Sequence, residues 1–264
     1  MAGMSASAWG GGHERGAEAM SLDRYARQLL LPGLGEAGQA ALADARVLIA
    51  GCGGLGTLAA AYLAGAGVGR LLLADDDRVE LSNLHRQLLY TEADLGQPKA
   101  VALAAALGAR NAEVDVAAHA ARLDSAALPA LLADCDLVLD CCDNFPTRYA
   151  LNAACVAARR NLLSAAAIRR EGLLLALQPG QPGQACYHCV FPDCEDSAGE
   201  RCAEAGVLGP SVGVVASLQA TQALEMLTGR GGGNRLWRWQ AGPGTLTPAG
   251  LAADPDCTVC GSAR

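Results

Sequence analysis

The chain has 264 residues, long enough for one large domain with a full hydrophobic core. Alanine inflates its 52% hydrophobic content, aromatic residues supply only 4%, and no uninterrupted apolar run reaches the roughly 18 residues of a membrane-spanning helix. The formal net charge of −7 argues against a general nucleic-acid-binding protein, which would carry a basic patch.

The N-terminal segment and the cysteine count both favour a cytoplasmic protein. Residues 1–20 are rich in Gly, Ala and Ser and lack the basic start and apolar core of a signal peptide, so we predict a disordered tail there. The eleven cysteines are odd in number, which argues against a secreted disulfide scaffold and for a reducing compartment.

The predicted elements alternate between helix and strand along most of the chain. Two short helices come first, at 23–31 and 36–44. Short apolar runs predict strands at 46–50, 70–75, 114–121, 136–141, 161–164, 172–178, 236–240 and 244–248. Further helices are predicted at 55–66, 99–110, 147–159 and 212–228. This pattern predicts an α/β fold: a doubly wound, Rossmann-like mixed sheet with an N-terminal helical segment and a C-terminal extension.

A glycine-rich turn, G-C-G-G-L-G at 51–56, follows the first predicted strand. Gly51, Gly53 and Gly56 fit G-x-G-x-x-G, in which glycines let backbone N–H groups approach a phosphate at a helix N-terminus. The additional Gly54 is expected to make room for bulkier phosphates. Asp75, at the end of the next strand, is expected to bind ribose hydroxyls. On this motif alone an NAD- or FAD-dependent enzyme is the leading interpretation.

The residues that follow favour a triphosphate instead. Carboxylates, amides and cations accumulate between positions 75 and 99, and one more arginine comes from the first helix. These residues are Arg27, Asp75, Asp77, Asn83, Arg86, Gln87 and Lys99. Arginine offers a planar fork for phosphate oxygens and lysine a point charge. The alternative for each lone cation is a solvated surface charge.

The segment D-C-C-D-N at 140–144 lies at the carboxyl end of a predicted central strand, where open α/β sheets bind their ligands. A carboxylate there is suited to holding Mg²⁺, which neutralises a triphosphate. The alternative is a helix cap, because Asp143 and Asn144 precede Pro146 at the start of a predicted helix. Both roles are possible if the two residues divide them.

Two C-x-x-C pairs predict a structural zinc site. The four expected ligands are Cys186, Cys189, Cys257 and Cys260. Four thiolates form a closed tetrahedral site with no open coordination position, so we expect the metal to join the long, aperiodic stretch 179–210 and the C-terminal end to the core. The alternatives are a redox C-x-x-C motif or two free pairs.

With R-Y-A-R-Q at 24–28 and G-Q-P-K at 96–99 added to these motifs, the chain resembles the ThiF/MoeB/HesA family, the bacterial relatives of ubiquitin-activating enzymes. The resemblance implies an ATP-dependent adenylyltransferase that activates the C-terminal Gly-Gly carboxylate of a small ubiquitin-like sulfur-carrier protein. It also implies a homodimer with zinc in a Cys₄ site. We expect one domain at 21–264, with a nucleotide-binding half at about 21–145 and a carrier-binding, zinc-bearing half at about 146–264.

The resemblance also assigns roles to individual positions. Asp143 matches the aspartate linked to Mg²⁺, and Arg27 an arginine that reaches the triphosphate from the partner subunit. Cys202 matches a loop cysteine proposed to bond covalently to the carrier; an inert surface thiol is the alternative, and Cys194 is a weaker candidate. The expected catalytic residues are Arg27, Arg86, Lys99, Asp143 and Cys202. The expected nucleotide site comprises Gly51, Gly53, Gly54, Gly56, Asp75, Asp77, Ser82, Asn83, Arg86, Gln87, Lys99, Asp143 and Asn144.

The sequence leaves open which biosynthetic pathway the carrier protein serves. The stretch A-A-I-R-R-E-G at 166–172 resembles molybdenum-cofactor members, whereas L-N-A-A-C at 151–155 fits thiamine-thiazole members equally well. A carrier of another specialised pathway is a third possibility. Sulfur is expected from a separate donor, a cysteine desulfurase or a rhodanese-type protein.

Two rival functions are weaker. An NAD-linked oxidoreductase needs an acid–base set that the four histidines do not provide in any convincing context. A non-catalytic binding subunit is disfavoured because Arg27, Lys99 and Asp143 occur together in one chain.

Overall fold

The computed structural model describes residues 22–192 and 205–261, in which helices and strands alternate. The helices are α1 (Leu22–Leu29), α2 (Gly35–Asp44), α3 (Gly54–Gly65), α4 (Lys99–Arg110), α5 (Leu128–Leu132), α6 (Phe145–Ala158), α7 (Tyr187–Val190) and α8 (Gly209–Leu227). The strands are β1 (Arg46–Ala50), β2 (Arg70–Ala74), β3 (Asp115–His119), β4 (Leu137–Asp140), β5 (Asn161–Ile168), β6 (Glu171–Leu177), β7 (Arg235–Gln240) and β8 (Thr245–Gly250). The predicted tail at 1–20, Cys194 and Cys202 lie outside the described residues.

The eight strands of the described residues form one sheet in the order β3-β2-β1-β4-β5-β6-β7-β8. Strands β1 to β5 are parallel to one another, whereas β6, β7 and β8 are added as antiparallel strands. At the centre, Ile49 of β1 lies between Leu73 of β2 and Leu139 of β4. The doubly wound mixed sheet predicted from the sequence is confirmed.

The central strands are buried on both faces because helices cover both sides of the sheet. One apolar cluster contains Ile49 and Leu73 and extends to α3, α4 and α8. The other contains Leu48 and Leu72 and extends to α5 and α6. Neighbouring residues of a strand therefore face opposite clusters, and continuous apolar runs such as V-L-I-A in β1 are buried throughout.

The chain reverses its winding direction between β1 and β4. After β3, at one edge of the sheet, it returns to add β4 on the other side of β1. The loops after β1 and β4 thus lie side by side at the carboxyl ends of these strands, and the N–H of Cys141 donates to the carbonyl of Ala50 at 2.8 Å. Open α/β sheets bind ligands at this point, which is where the glycine turn and the 140–144 segment meet.

The predicted bounds match β1 and α4 and differ at several other elements. β5 continues beyond Ser164 because residues 165–168 pair with β6 in an antiparallel hairpin. α5 was not predicted, and α8 begins three residues before its predicted start. Among the helices of the described residues, none combines the length and apolar character needed to cross a membrane.

Candidate active site

The glycine turn is tight because two of its glycines leave no space for a side chain. Gly51 has a φ of +93°, and a β-carbon there would lie 2.8 Å from the carbonyl oxygen of Cys141. A β-carbon on Gly56 would overlap the carbonyl oxygen of Gly51. The turn leads directly into α3 at Gly54, so the unpaired N–H groups that begin this helix belong to the turn.

Gly54 makes room for protein groups, and its expected role in making room for phosphates stays a prediction. A β-carbon there would lie 2.9 Å from Cγ1 of Val212 and 3.3 Å from Cγ of Arg86. The missing side chain lets the start of α8 and the segment 81–87 approach the turn. A nucleotide contact through the backbone N–H of Gly54 stays a prediction.

The carboxylate of Asp75 holds the turn in place. Its Oδ2 accepts the N–H of Cys52 at 2.6 Å, and its Oδ1 accepts the N–H of Asp77 at 2.8 Å. Burial raises the pKa of Asp75, although these two N–H donors and the ammonium group of Lys99 act in the opposite direction. Asp75 lies directly after β2 and beside the glycine turn; its contact with ribose hydroxyls stays a prediction.

Lys99 begins α4 and lies against the same loop. Its Nζ forms an ion pair with Oδ2 of Asp77 at 2.8 Å, and its backbone N–H donates to the carbonyl of Asp77 at 2.9 Å. The side chain of Lys99 is 8% exposed, whereas that of Asp77 is 69% exposed. A nearly buried ammonium group with an exposed carboxylate partner is suited to exchanging that partner for phosphate oxygens.

Residues 81–87 form a wall beside the glycine turn. Asn83 is buried, and its Oδ1 accepts a backbone N–H at 3.2 Å. Arg86 is half-buried and donates from Nη1 to the carbonyl of Ser82 at 3.2 Å. Gln87 is 2% exposed, and its Oε1 has no hydrogen-bond partner within the described part of the chain. A buried amide oxygen left in this state is a position where a ligand or water donor is expected.

A buried ion pair between Asp140 and Arg148 was missed by the sequence analysis. Oδ2 of Asp140 lies 3.0 Å from Nη1 of Arg148 and accepts the hydroxyl of Ser164 at 2.6 Å. Arg148 also donates to the carbonyl oxygens of Cys142 and Ala165. Burial lowers the pKa of Arg148, but the Asp140 carboxylate together with Tyr187 and the cysteines at 141 and 142 outweighs this effect, and the pKa is raised. The pair fixes the segment after β4 against β5.

Of the two residues that the sequence offered as cap or metal ligand, Asn144 is the cap. Asn144 is the N-cap of α6, because its Oδ1 accepts the N–H of Thr147 at 3.0 Å. Asp143, next to it, is exposed and does not cap the helix. Magnesium binding by Asp143 stays a prediction. A nucleotide contact of Asn144 also stays a prediction, and it would use the amide nitrogen, because Oδ1 caps the helix.

Within one chain, Arg27 lies at the far end of α3 from the glycine turn. α1 is anchored at the C-terminal end of α3, where Nε2 of Gln28 donates to the carbonyl of Ala66 at 3.1 Å. The glycine turn lies at the opposite end of this 12-residue helix, about 18 Å away. Arg27 is exposed on α1, the helix anchored at that far end of α3.

The four cysteines of the two C-x-x-C pairs meet in one cluster. Their sulfur atoms all lie within 4.8 Å of one another, with 3.7 Å between Cys186 and Cys257 and 3.4 Å between Cys189 and Cys260. Zinc–sulfur bonds of about 2.3 Å in a tetrahedron separate the sulfurs by about 3.8 Å, so the cluster fits zinc. Burial raises the pKa of Cys257, but hydrogen bonds from backbone N–H groups and from Cys260 and Cys186 together lower it to about 6. Burial raises the pKa values of Cys186 and Cys260.

One face of α6 connects the zinc cluster with the segment after β4. Nδ2 of Asn152 donates to Sγ of Cys186 at 3.5 Å, and its Oδ1 accepts the N–H of Tyr187 at 2.8 Å. Asn152 lies one helical turn after Arg148 and one turn before Val156, which packs against the cysteines. The first cysteine pair is therefore held by the same helix that carries Arg148.

Residues 25–259 match the ThiF family. The chain belongs to the ThiF family. The molybdopterin-synthase adenylyltransferase of Escherichia coli (strain K12) is 45% identical to it over 240 residues, 90% of this chain and 96% of that protein. The sulfur carrier protein ThiS adenylyltransferase of the same strain is 48% identical over 206 residues, 78% of this chain and 81% of that protein. The predicted enzyme class, an adenylyltransferase, is confirmed for this ThiF-family chain.

Solved structures share the fold across most of the chain. The crystal structure of E. coli MccB with ATP superimposes with a TM-score of 0.78, at 25% identity, covering 90% of this chain and 74% of that one. The structure of PaaA gives a TM-score of 0.71 at 21% identity and covers 92% and 78%. The ThiF-family chain thus shares its mixed sheet with both proteins.

Proposed function

We propose that this protein adenylylates the C-terminal glycine carboxylate of a small ubiquitin-like sulfur-carrier protein, using ATP and Mg²⁺ and releasing pyrophosphate. One observation carries the proposal: the glycine turn lies beside the 140–144 segment that contains Asp143, in a chain 45% identical to a molybdopterin-synthase adenylyltransferase. The reaction would take place in the cytoplasm, without a nucleic-acid or membrane partner.

The proposed reaction needs no general base. A carboxylate is already ionised near neutral pH, so an oxygen of the terminal glycine attacks the α-phosphorus while the bond to pyrophosphate breaks. The chain's work is to position the two reactants and to offset negative charge. N–H groups of the glycine turn, Arg86 and Lys99 would contact the phosphates, and Asp75 would accept hydrogen bonds from the ribose.

Asp143 would hold Mg²⁺, which supplies neutralising charge to the triphosphate and its leaving group. The capping arrangement supports this role, because Asn144 satisfies the helix start and leaves the exposed Asp143 carboxylate available. Lys99 would transfer its ammonium group from Asp77 to the phosphates when ATP arrives.

A homodimer would complete the site. Arg27 lies at the far end of α3 from the glycine turn of its own chain, about 18 Å away, which exceeds the reach of an arginine side chain. We propose that Arg27 serves the triphosphate of the partner subunit, so that a monomeric variant is inactive.

The carrier is proposed to be of the molybdenum-cofactor type, with a thiamine-type carrier as the second candidate. Identity over 90% of the chain with a molybdopterin-synthase adenylyltransferase favours the first, and 48% identity over a shorter stretch with a ThiS adenylyltransferase favours the second. A separate cysteine desulfurase or rhodanese-type protein would then donate sulfur. Covalent bonding of the carrier by Cys202 stays a prediction.

The test is ATP–pyrophosphate exchange with purified protein and MoaD-type or ThiS-type carriers ending in Gly-Gly. Exchange with one carrier is expected, and Asp143→Ala should lower it about 100-fold or more because the metal's charge is no longer held. The matched control is Asp44→Ala, an exposed aspartate on α2. Unchanged exchange in Asp143→Ala would refute the role of Asp143. Absence of exchange with every carrier, in zinc-loaded protein that binds ATP, would refute the carrier assignment.

A further inference from the structure

Tyr90 lies between the glycine turn and the start of α4, although neither the motifs nor the proposed mechanism uses it. Its side chain is 5% exposed. Its hydroxyl donates to the carbonyl oxygens of Cys52 and Lys99, at 2.9 and 3.1 Å, and shares one proton between them. The residue that carries the candidate phosphate-binding ammonium group is thus joined by its backbone to the phosphate-binding turn.

These bonds close a ring. The N–H of Cys52 donates to Asp75, and the second oxygen of that carboxylate accepts the N–H of Asp77. Asp77 in turn holds Lys99 twice, through its carbonyl at 2.9 Å and through its carboxylate at 2.8 Å. Tyr90 supplies the remaining link, from Lys99 back to Cys52. Deleting its hydroxyl opens the ring and leaves the carboxylate contacts in place.

We propose that Tyr90 is a positioning residue, which fixes the start of α4 against the glycine turn so that Lys99 meets the triphosphate at one defined distance. The inference rests on the proposed function for its catalytic consequence. Lysine is a point charge on a flexible stem, so its contribution depends on how firmly its backbone is held. The link to Asp77 through the lysine ammonium is lost when phosphates replace that carboxylate, whereas the tyrosine link remains.

The hydroxyl is suited to this task over the whole working pH range. Burial raises the pKa of Tyr90, and the neighbouring Cys52 and Asp75 raise it further. The group therefore stays protonated and remains a donor. Phenylalanine fills the same volume without the donor, so Tyr90→Phe changes the ring and little else.

The test is a double-mutant cycle on kcat/KM for ATP in pyrophosphate exchange, with Tyr90→Phe, Lys99→Met and the double variant. Tyr90→Phe is expected to lower kcat/KM about tenfold in the wild-type background, the scale of one lost hydrogen bond. In the Lys99→Met background the same change should alter it less than about twofold, because the group that Tyr90 positions is gone. Equal losses in both backgrounds would overturn the proposal, since a general structural effect does not depend on Lys99.

The control is Tyr149→Phe, which deletes a hydroxyl that donates to the carbonyl of Phe191 at 2.8 Å, outside the ring. Its kcat/KM should stay within about twofold of wild type. A second arm needs no activity: hydrogen exchange of backbone amides at 52–57 and 99–103 in the nucleotide-free protein. Tyr90→Phe should accelerate exchange of both segments together, by about tenfold. Unchanged hydrogen exchange in these segments would overturn the positioning role. This arm is independent of the proposed function, because it is informative even if the wild-type protein activates no carrier.

Discussion

The glycine-turn region and the zinc region organise their polar groups in different ways. At the turn, hydrogen bonds join residues far apart in sequence, such as Cys52 with Asp75 and Tyr90. At the cysteine cluster, four sulfur atoms face one another with only a small apolar cluster around Val156 beside them. The first region is held together by its own hydrogen bonds, whereas we expect the second to depend on metal for its cohesion.

Removal of the second cysteine pair tests this contrast most strongly. The double variant Cys257→Ser/Cys260→Ser is expected to lose its zinc and to lower Tm by at least about 10 °C, since structural zinc contributes many kcal/mol to folding. ATP binding, measured by calorimetry below the lowered Tm, should change far less than Tm does. Metal analysis and differential scanning calorimetry report the first two effects. The control, Cys135→Ala, removes a buried thiol outside the cluster and should retain zinc.

Arg148→Met tests how strongly the buried ion pair stabilises the segment after β4. It leaves the Asp140 carboxylate buried without its partner, which costs about 3–5 kcal/mol. Thermal unfolding in zinc-containing buffer should show the loss. The double variant Asp140→Asn/Arg148→Met should recover a large part of it, because no unpaired charge remains. A double variant as unstable as Arg148→Met would contradict the explanation by charge burial.

The separate roles proposed for Asp143 and Asn144 predict a smaller effect on stability. Asn144→Ala removes the side-chain cap of α6 and should lower stability by about 1 kcal/mol, or Tm by about 2–4 °C. Asp143→Ala should leave Tm unchanged while lowering pyrophosphate exchange about 100-fold or more. Calorimetry on both variants distinguishes a cap from a ligand. Equal losses of stability would show that the roles are not divided.

The smallest expected effect on stability is that of Asp75, and it depends on pH. Burial raises the pKa of Asp75 above its ordinary value near 3.8, so the folded state binds this proton more tightly than the unfolded state. The resulting stability is fully present below that ordinary value and is lost as pH rises through the folded pKa. Asp75→Asn removes this loss, so its Tm relative to wild type should increase as pH rises above about 4. Asp44→Asn, at an exposed site, controls for the loss of one charge.

Elements with strong local patterns were predicted well. The bounds of β1 and α4 follow from an apolar run ended by glycine and from a helix between Pro98 and Asn111. The cysteine cluster was predicted equally well, because C-x-x-C spacing fixes two ligands of a site locally. β5 was predicted too short because its last residues are stabilised by pairing with β6, a contact that its own small side chains do not indicate.

Residues whose role arises from packing were missed. Arg148 was not singled out, because its role depends on Asp140 and Ser164 on neighbouring strands. One signal was available: Asn144, Arg148, Asn152 and Val156 recur at four-residue spacing, which places them on one face of α6. Tyr90 gave no comparable signal, because its partners are backbone carbonyls whose positions no residue type reveals.

The mixed sheet also has a consequence for the order of folding. Ile168 pairs with Glu171, and Gln240 with Thr245, across short connections, so two hairpins close with little loss of chain entropy. Ala50 pairs with Asp140 only after α3, β2, α4, β3 and α5 have been accommodated between them. We expect the amides of the β5–β6 hairpin to gain protection before those of β1 and β4 in pulsed hydrogen-exchange refolding. The ligand crevice, which lies where β1 meets β4, would then be among the last features of the protein to form.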